Sequence, residues 1–114
     1  MKILITIHLN SVAQRFDLAS EVIIADQEGL SNEPRTIIMS RPSAEELCNL
    51  IIKENIGVVI CGGIEERHYK FLTWKKISVL DSVIGDYNQA LVLAGNGKLS
   101  AGAILSSAYE IGQQ

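Results

Sequence analysis

The sequence has few cysteines, no cluster of basic residues and no long apolar run, and each shortage excludes a class of protein. Cys48 and Cys61 do not form a C-x-x-C motif, so neither a zinc knuckle nor a dithiol redox site is indicated. A net charge of -3 without clustered Lys or Arg argues against a nucleic-acid surface. No apolar run reaches the roughly 18 residues of a membrane span, and the first residues lack the cleavage site of a signal peptide. We therefore expect a cytoplasmic protein with reduced thiols and neither nucleic acid nor membrane as a partner.

Length and composition predict a single folded unit. The chain has 114 residues, of which 47% are hydrophobic and 20% charged. A chain of this length buries roughly two-thirds of its unfolded surface in one core. We expect one domain over residues 1–99. The remaining residues, 100–114, are small and nearly uncharged, which is compatible with a docked helix, an added strand or a frayed tail.

The spacing of apolar residues predicts the element order β-β-β-α-β-α-β-α. A capping box formed by Ser43 and Glu46 marks the start of the first helix, and Asn55 marks its end. Predicted strands cover 2–8, 21–26, 35–40, 57–61 and 77–83, and predicted helices cover 43–54, 64–75 and 87–94. Two β-α-β units after an antiparallel meander give a mixed α/β fold, with five strands in the order 3-2-1-4-5 and helices on both faces.

This order brings two distant parts of the chain to one edge of the sheet. The first and fourth strands are expected to be parallel neighbours, so His8 and the Cys61-Gly62-Gly63 junction lie at their carboxyl ends. Open α/β sheets bind ligands at that edge. We therefore predict a binding site there.

Three stretches of the chain, in this order, resemble the dinitrogenase iron-molybdenum cofactor biosynthesis family of the NifX/NafY type. They are SVAQRFDLASEVIIAD, GVVICGGIEERHYKFL and VIGDYNQALVLAGNGKL, and the best-matched pieces are Val59 to Ile64, Gly85-Asp86 with Ala90, and Asn96-Gly97 with Leu99. The resemblance implies a ribonuclease H-like fold and a carrier for an iron-sulfur or iron-molybdenum type cluster. It also implies cofactor-assembly proteins as partners and leaves a homodimer open.

Several polar residues near this edge are candidate ligands. An imidazole and a thiolate form a soft ligand pair, the junction glycines expose backbone N–H groups, and an arginine fork binds a small anion. The candidate binding residues are Cys61, Gly62, Gly63, His8, Arg15 and Asp17, and the candidate metal ligands are Cys61, His8 and His68. The alternatives are a buried structural cysteine, glycines needed for a tight turn, packed histidines and a solvent-exposed Arg-Asp pair.

One departure from the family pattern bears on the function. Arg15-Phe16-Asp17 stands where family members often carry His-Phe-Gly, and that histidine is a candidate cluster ligand in the family. Because arginine cannot ligate a metal, other residues must hold any cluster. A second hypothesis is therefore a protein-interaction or regulatory module that kept the fold and lost the ligand. Strand 1 has no carboxylate for nuclease chemistry, so nuclease activity is not expected. The convergence of the two strand ends and the family resemblance instead favour a carrier over an enzyme.

Overall fold

The structure is a computed structural model in which residues 1–26 and 34–105 are described. Within these ranges, the chain forms six strands, three helices and one 3-10 turn. The strands are β1 (Lys2–His8), β2 (Ser11–Val12), β3 (Glu21–Asp26), β4 (Arg35–Ile38), β5 (Ile56–Ile60) and β6 (Ser78–Leu80). The helices are α1 (Ala44–Lys53), α2 (Glu66–Trp74) and α3 (Tyr87–Gly95), and the 3-10 turn covers Phe16–Leu18.

The strands form one mixed sheet in the order β4-β3-β1-β5-β6, and β2 pairs with the end of β1. β1 is antiparallel to β3 and parallel to β5, and β6 is parallel to β5. The mixed α/β class and the parallel pairing of β1 with β5 are confirmed. The predicted count of five strands is wrong, because β2 adds a sixth strand of only two residues, too short to show a periodic pattern. The ribonuclease H-like relationship stays a prediction.

The alternating side chains of β1 divide the core into two layers. Leu4 packs with α1 and α2 on one face, whereas Ile3, Ile5 and Ile7 pack with α3 on the other. Each of these side chains is fully or almost fully buried, which stabilises the fold by roughly 1.5–3 kcal/mol per residue before entropy is subtracted. β1 is therefore the centre of the fold, with helices on both of its faces.

The ends of α1 follow the predicted local signals. The backbone N–H of Glu46 donates to the Ser43 hydroxyl oxygen at 3.3 Å, which satisfies one of the free donors at the helix start. Asn55 has a φ of 60°, the left-handed conformation expected after a helix end. In α3, the Asp86 carboxylate caps the first turn by accepting from the N–H of Gln89 at 3.0 Å.

The β1–β3 connection, residues Leu9 to Ser20, reverses the chain immediately after β1. Leu9 has a φ of 58°, and the two-residue turn it begins pairs Ile7 with Val12. The N–H of Val12 also donates to the carbonyl of Gly85 at 2.8 Å. The connection is thus held both by β1 and by the segment before α3.

The segment after α3 returns to the same region. Ile84 and Ile104 form a parallel bridge, and the N–H of Leu105 donates to the Ile84 carbonyl at 2.7 Å. Gly85 has a φ of 120°, and a side chain there would collide with the Leu105 carbonyl. Residues 103–105 therefore dock as a bridge. The rest of the predicted C-terminal extension, residues 106–114, and most of the predicted turn at 27–34 lie outside the described residues.

Among the helices in the described ranges, none combines the length and the apolar composition needed to cross a membrane.

Candidate functional site

The β1–β3 connection lies between the two parts of the chain that were predicted to face each other. The N–H of Gly63 donates to the Gln14 carbonyl at 2.8 Å, and the N–H of Phe16 donates to the Gly63 carbonyl at 2.8 Å. The connection thus takes the position beside the end of β5 that a longer β1 would occupy. The connection separates His8 from Cys61, although His8 ends β1 and Cys61 directly follows the neighbouring parallel strand β5.

The double glycine has a packing role in this arrangement. A Cβ atom on Gly62 would lie less than 3.0 Å from the carbonyl oxygens of Ala13 and Gln14, a distance that real Cβ atoms do not show. A Cβ atom on Gly63 would lie 3.5 Å from the Gln14 oxygen, an ordinary contact. Gly62 is therefore the position at which two backbone segments approach closely. This geometry supports the alternative that the glycines serve the turn.

Cys61 is completely buried in the layer between the sheet and α1 and α2. Burial raises the pKa of its thiol to about 12, and the nearby charge of Asp81 adds to the effect. The thiol is therefore protonated at neutral pH, whereas nucleophilic attack needs the thiolate. Burial raises the pKa of Cys48 as well, with a further contribution from Glu45. Neither cysteine has the properties of a reactive thiol.

His68 lies on the buried face of α2, and its ring centroid is 6.2 Å from that of Phe16. Its Nε2 atom and the Thr6 hydroxyl are buried without a hydrogen-bond partner among the described residues. His68 also contributes to a cavity of about 300 Å³ between the 3-10 turn and the N-terminal ends of α1 and α2. We call it the second cavity, to distinguish it from a larger one described below. Its lining consists of Asp17, Leu18, Pro42, Ser43, Ala44, Glu45, Glu65, Arg67 and His68.

A larger cavity brings two of the predicted site residues together. Its volume is about 540 Å³, and its lining consists of His8, Leu9, Ser11, Val12, Ala13, Gln14, Arg15 and Leu18. Apart from His8, all of these residues belong to the β1–β3 connection. Leu9 and Leu18 are 78% and 54% exposed, so the cavity combines basic side chains with exposed apolar ones. We call it the edge cavity.

Arg15 is paired with Asp17 at two points. Its Nε lies 3.1 Å from Oδ1 and its Nη2 lies 2.6 Å from Oδ2, so one edge of the guanidinium faces the whole carboxylate. The Arg15 side chain is 58% exposed, which makes this a surface ion pair of small energetic value. The second basic residue, His8, has its Nδ1 atom 3.5 Å from the Ser20 hydroxyl oxygen.

The predicted site residues thus divide between three neighbouring cavities. His8 and Arg15 share the edge cavity, whereas Asp17 and His68 line the second cavity. Gly62 and Gly63 contribute to a third cavity of about 320 Å³, lined by Val12, Gln14, Gly62, Gly63, Ser82, Val83 and Ile84. Across residues 1–26 and 34–105, no three His, Cys, Asp or Glu side chains are arranged so that they could hold a metal ion.

Sequence reasoning placed the site at the edge formed by residues 8–17 and 61–68 but did not name Leu9, Gln14 or Leu18 as binding residues. Gln14 lines two of the cavities, and the two leucines are exposed around the edge cavity. The available signal was their position in a connection that follows the carboxyl end of a central strand, where ligands of open sheets bind. Their residue types alone indicate no binding chemistry.

Comparison with known proteins gives similarity at the level of the fold. A scan against models of protein families finds no match, and neither does a search of curated proteins. Among solved structures, the protein PH0822 is 21% identical, with a TM-score of 0.76 over 89% of this chain and 94% of its own. A Methanocaldococcus jannaschii protein provisionally assigned as a dinitrogenase is 26% identical, with a TM-score of 0.69 over 88% of this chain and 92% of its own.

The apo form of orange protein from Desulfovibrio gigas is also similar. It is 18% identical, and its TM-score is 0.70 over 88% of this chain and 91% of its own length. Because these similarities cover nearly the whole of each protein, the chain shares their complete fold rather than one motif. The general resemblance to dinitrogenase-related proteins is supported, at low sequence identity.

Proposed function

We propose that the protein is a small binding protein, a carrier rather than a catalyst, that holds an anionic ligand in the edge cavity. The observation that carries this proposal is the presence of His8 and Arg15 in one open cavity at the carboxyl end of the central strand. Arg15 offers two parallel N–H donors to an anion, and His8 adds a third donor. The exposed side chains of Leu9 and Leu18 provide apolar contacts beside these donors.

The nature of the side chains limits how a metal-sulfur cluster would be held. Ligation by cysteine does not fit, since Cys48 and Cys61 are both buried in the core and neither lines the edge cavity. A metal-sulfide anion whose metal atoms already have all their ligands carries a net negative charge and needs no ligand atom from the protein. Such an anion can be held by hydrogen-bond donors, the charge of Arg15 and apolar walls, which the edge cavity has. We therefore propose non-covalent binding of an iron-sulfur or iron-molybdenum type cluster, or of a smaller anion, as cargo.

The names of two structural neighbours are consistent with a bound cofactor as the ligand, but they do not specify which one. One structural neighbour is provisionally assigned as a dinitrogenase, and another is an apo protein, a form defined by a missing bound group. A role in the cytoplasm beside other cofactor-assembly proteins belongs to the same proposal.

A protein-interaction module is the second candidate, and one surface favours it. Trp74 is 73% exposed at the end of α2, and its ring lies 6.4 Å from that of Phe71. The Lys75 ammonium lies 4.8 Å from the Trp74 ring centroid and 5.9 Å from that of Phe71. Exposed aromatic and cationic side chains of this kind are frequent in protein interfaces. This surface is at the opposite end of α2 from His68.

Anaerobic mixing with a metal-sulfur ligand tests the carrier proposal. The purified protein is incubated either with iron and sulfide or with tetrathiomolybdate, a preformed molybdenum sulfide dianion, and its visible spectrum is recorded after gel filtration. We expect coloured wild-type protein with at least one of these reagents. His8→Ala and Arg15→Ala should each bind less, whereas Cys61→Ala should bind as the wild type does.

Arg35→Ala is the matched control, because Arg35 is also an arginine paired with a carboxylate, Glu54, but lies on β4. This variant should keep the colour. Colourless wild-type protein with both reagents would contradict a metal-sulfur cluster as the cargo, and equal losses in Arg15→Ala and Arg35→Ala would contradict the edge cavity as the binding site.

A further inference from the structure

The two-point pairing of Arg15 with Asp17 occupies the donors that an anion in the edge cavity would use. Nε–H and one Nη2–H of Arg15 both point to the Asp17 carboxylate, at 3.1 and 2.6 Å. An oxyanion or a sulfide edge binds arginine through the same pair of parallel donors. A ligand and the Asp17 carboxylate therefore compete for one edge of the guanidinium.

The competitor is part of the chain, which gives it an advantage over free anions. Asp17 is two residues from Arg15, so its effective concentration at the guanidinium is in the millimolar range or above. Every anion that uses these donors must first break the same Arg15–Asp17 pair. The competition therefore lowers the affinity for each such anion by the same factor.

From this geometry we infer that Asp17 is an internal competitor that lowers the affinity of the edge cavity for anions. The inference rests on the proposed function and adds to it a residue that controls access to Arg15. Asp17 acts through Arg15 and is a positioning residue, because its carboxylate repels the ligand rather than binding it.

The structure also provides a place for the displaced carboxylate. Asp17 already lines the second cavity, whose other polar residues include Ser43 and Arg67 as well as the acidic Glu45 and Glu65. Arg67 is 71% exposed and its Nε lies 3.3 Å from a Glu65 oxygen. A carboxylate that leaves Arg15 can therefore turn towards polar groups and solvent without entering the core.

Two tetrahedral oxyanions of similar size and different charge test the inference. Molybdate carries two negative charges and perrhenate one, so their affinities, measured by isothermal titration calorimetry at fixed low salt, isolate the effect of charge. The wild type should prefer molybdate. Asp17→Asn keeps the size of the side chain and removes its charge, so it should bind both anions roughly fivefold more tightly, the scale of an exposed ion pair. The gain for molybdate should be at least as large as that for perrhenate, because the removed carboxylate also repels the doubly charged anion more strongly.

Two further variants separate local competition from a general change in charge. Glu66→Gln removes one charge from an exposed ion pair with Lys70, at 2.9 Å, and should leave both affinities unchanged. Arg15→Ala should abolish the effect of Asp17→Asn, because the competitor then has nothing to occupy.

The outcomes distinguish the inference from the proposed function. If the wild type binds molybdate through Arg15 and Asp17→Asn changes neither affinity, the inference is overturned and the carrier proposal stands. An equal gain in Glu66→Gln also overturns the inference, since the effect is then one of net charge. If neither the wild type nor Asp17→Asn binds either anion, both proposals fail. Binding that appears only in Asp17→Asn supports the inference in its strongest form.

Discussion

The carboxyl ends of β1 and β5 lie at the same edge of the sheet but differ in what they expose. After β5, Cys61 is buried, Gly62 lies against the backbone of another segment and Gly63 is hydrogen-bonded to it. After β1, His8 and the exposed connection surround an open cavity. Position at the carboxyl edge of an α/β sheet is therefore insufficient to identify a site. The β1–β3 connection covers the end of β5 and leaves the end of β1 accessible. We call these two ends the closed half and the open half of the edge.

Adding a methyl group at Gly62 tests how closely the closed half is packed. Gly62→Ala should lower the free energy of unfolding by about 3 kcal/mol, because the added Cβ collides with the carbonyl oxygens of Ala13 and Gln14. Gly63→Ala is the matched control and should cost less than about 1 kcal/mol, since its Cβ has ordinary contacts. Urea denaturation measures both. Equal costs would show that close packing does not distinguish the two glycines.

The pH dependence of stability tests the burial of Cys61. Because its pKa rises from 9.0 to about 12 on folding, the protonated thiol contributes stability that is fully present below pH 9. That contribution is lost as the pH rises towards 12, by about 1.4 kcal/mol per pH unit. Urea unfolding between pH 9 and 11 should therefore show a shallower decline in Cys61→Ala than in the wild type. Identical slopes would mean that the native thiol is accessible to water.

A substitution at Thr6 tests whether its buried hydroxyl has a hydrogen-bonding role. Its hydroxyl is fully buried and has no hydrogen-bond partner among the described residues. Thr6→Val should raise the free energy of unfolding by roughly 1 kcal/mol, because an apolar group of the same shape replaces an unsatisfied one. The midpoint of thermal unfolding would show this gain. Destabilisation instead would reveal a partner for the hydroxyl.

The smallest effect is expected in the open half. Leu18 is 54% exposed beside the edge cavity, so Leu18→Ser should change the free energy of unfolding by no more than about 0.5 kcal/mol. The same urea titrations provide the measurement. A loss comparable to that of Gly62→Ala would mean that the open half is as tightly packed as the closed half.

Much of the fold was predictable because its signals are local. The cap formed by Ser43, the left-handed Asn55 and the apolar runs of β1 and β5 each follow from a few consecutive residues. The parallel pairing of β1 with β5 then follows from the order of the elements.

No comparable local signal predicted that the β1–β3 connection pairs with the residues after β5. Its hydrogen bonds join Gln14 and Phe16 to Gly63, nearly fifty residues away in the sequence, and such pairing leaves no periodic pattern in either segment. The candidate site was consequently predicted as one group of residues at one edge of the sheet. The structure divides that group, leaving His8 with Arg15 and enclosing Cys61. The pairing of Arg15 with Asp17 was open as an alternative, since the two residues are close in sequence.

The short β1–β3 connection has a consequence for how such a protein diversifies. Seven of the eight residues around the edge cavity come from ten consecutive positions, 9–18, whereas the sheet and helices supply the core. The lining of the proposed binding cavity thus comes almost entirely from one contiguous segment. Exchanging that segment between proteins of this fold, with Gly62 kept to allow its close approach, would change the cavity lining while leaving the core residues in place.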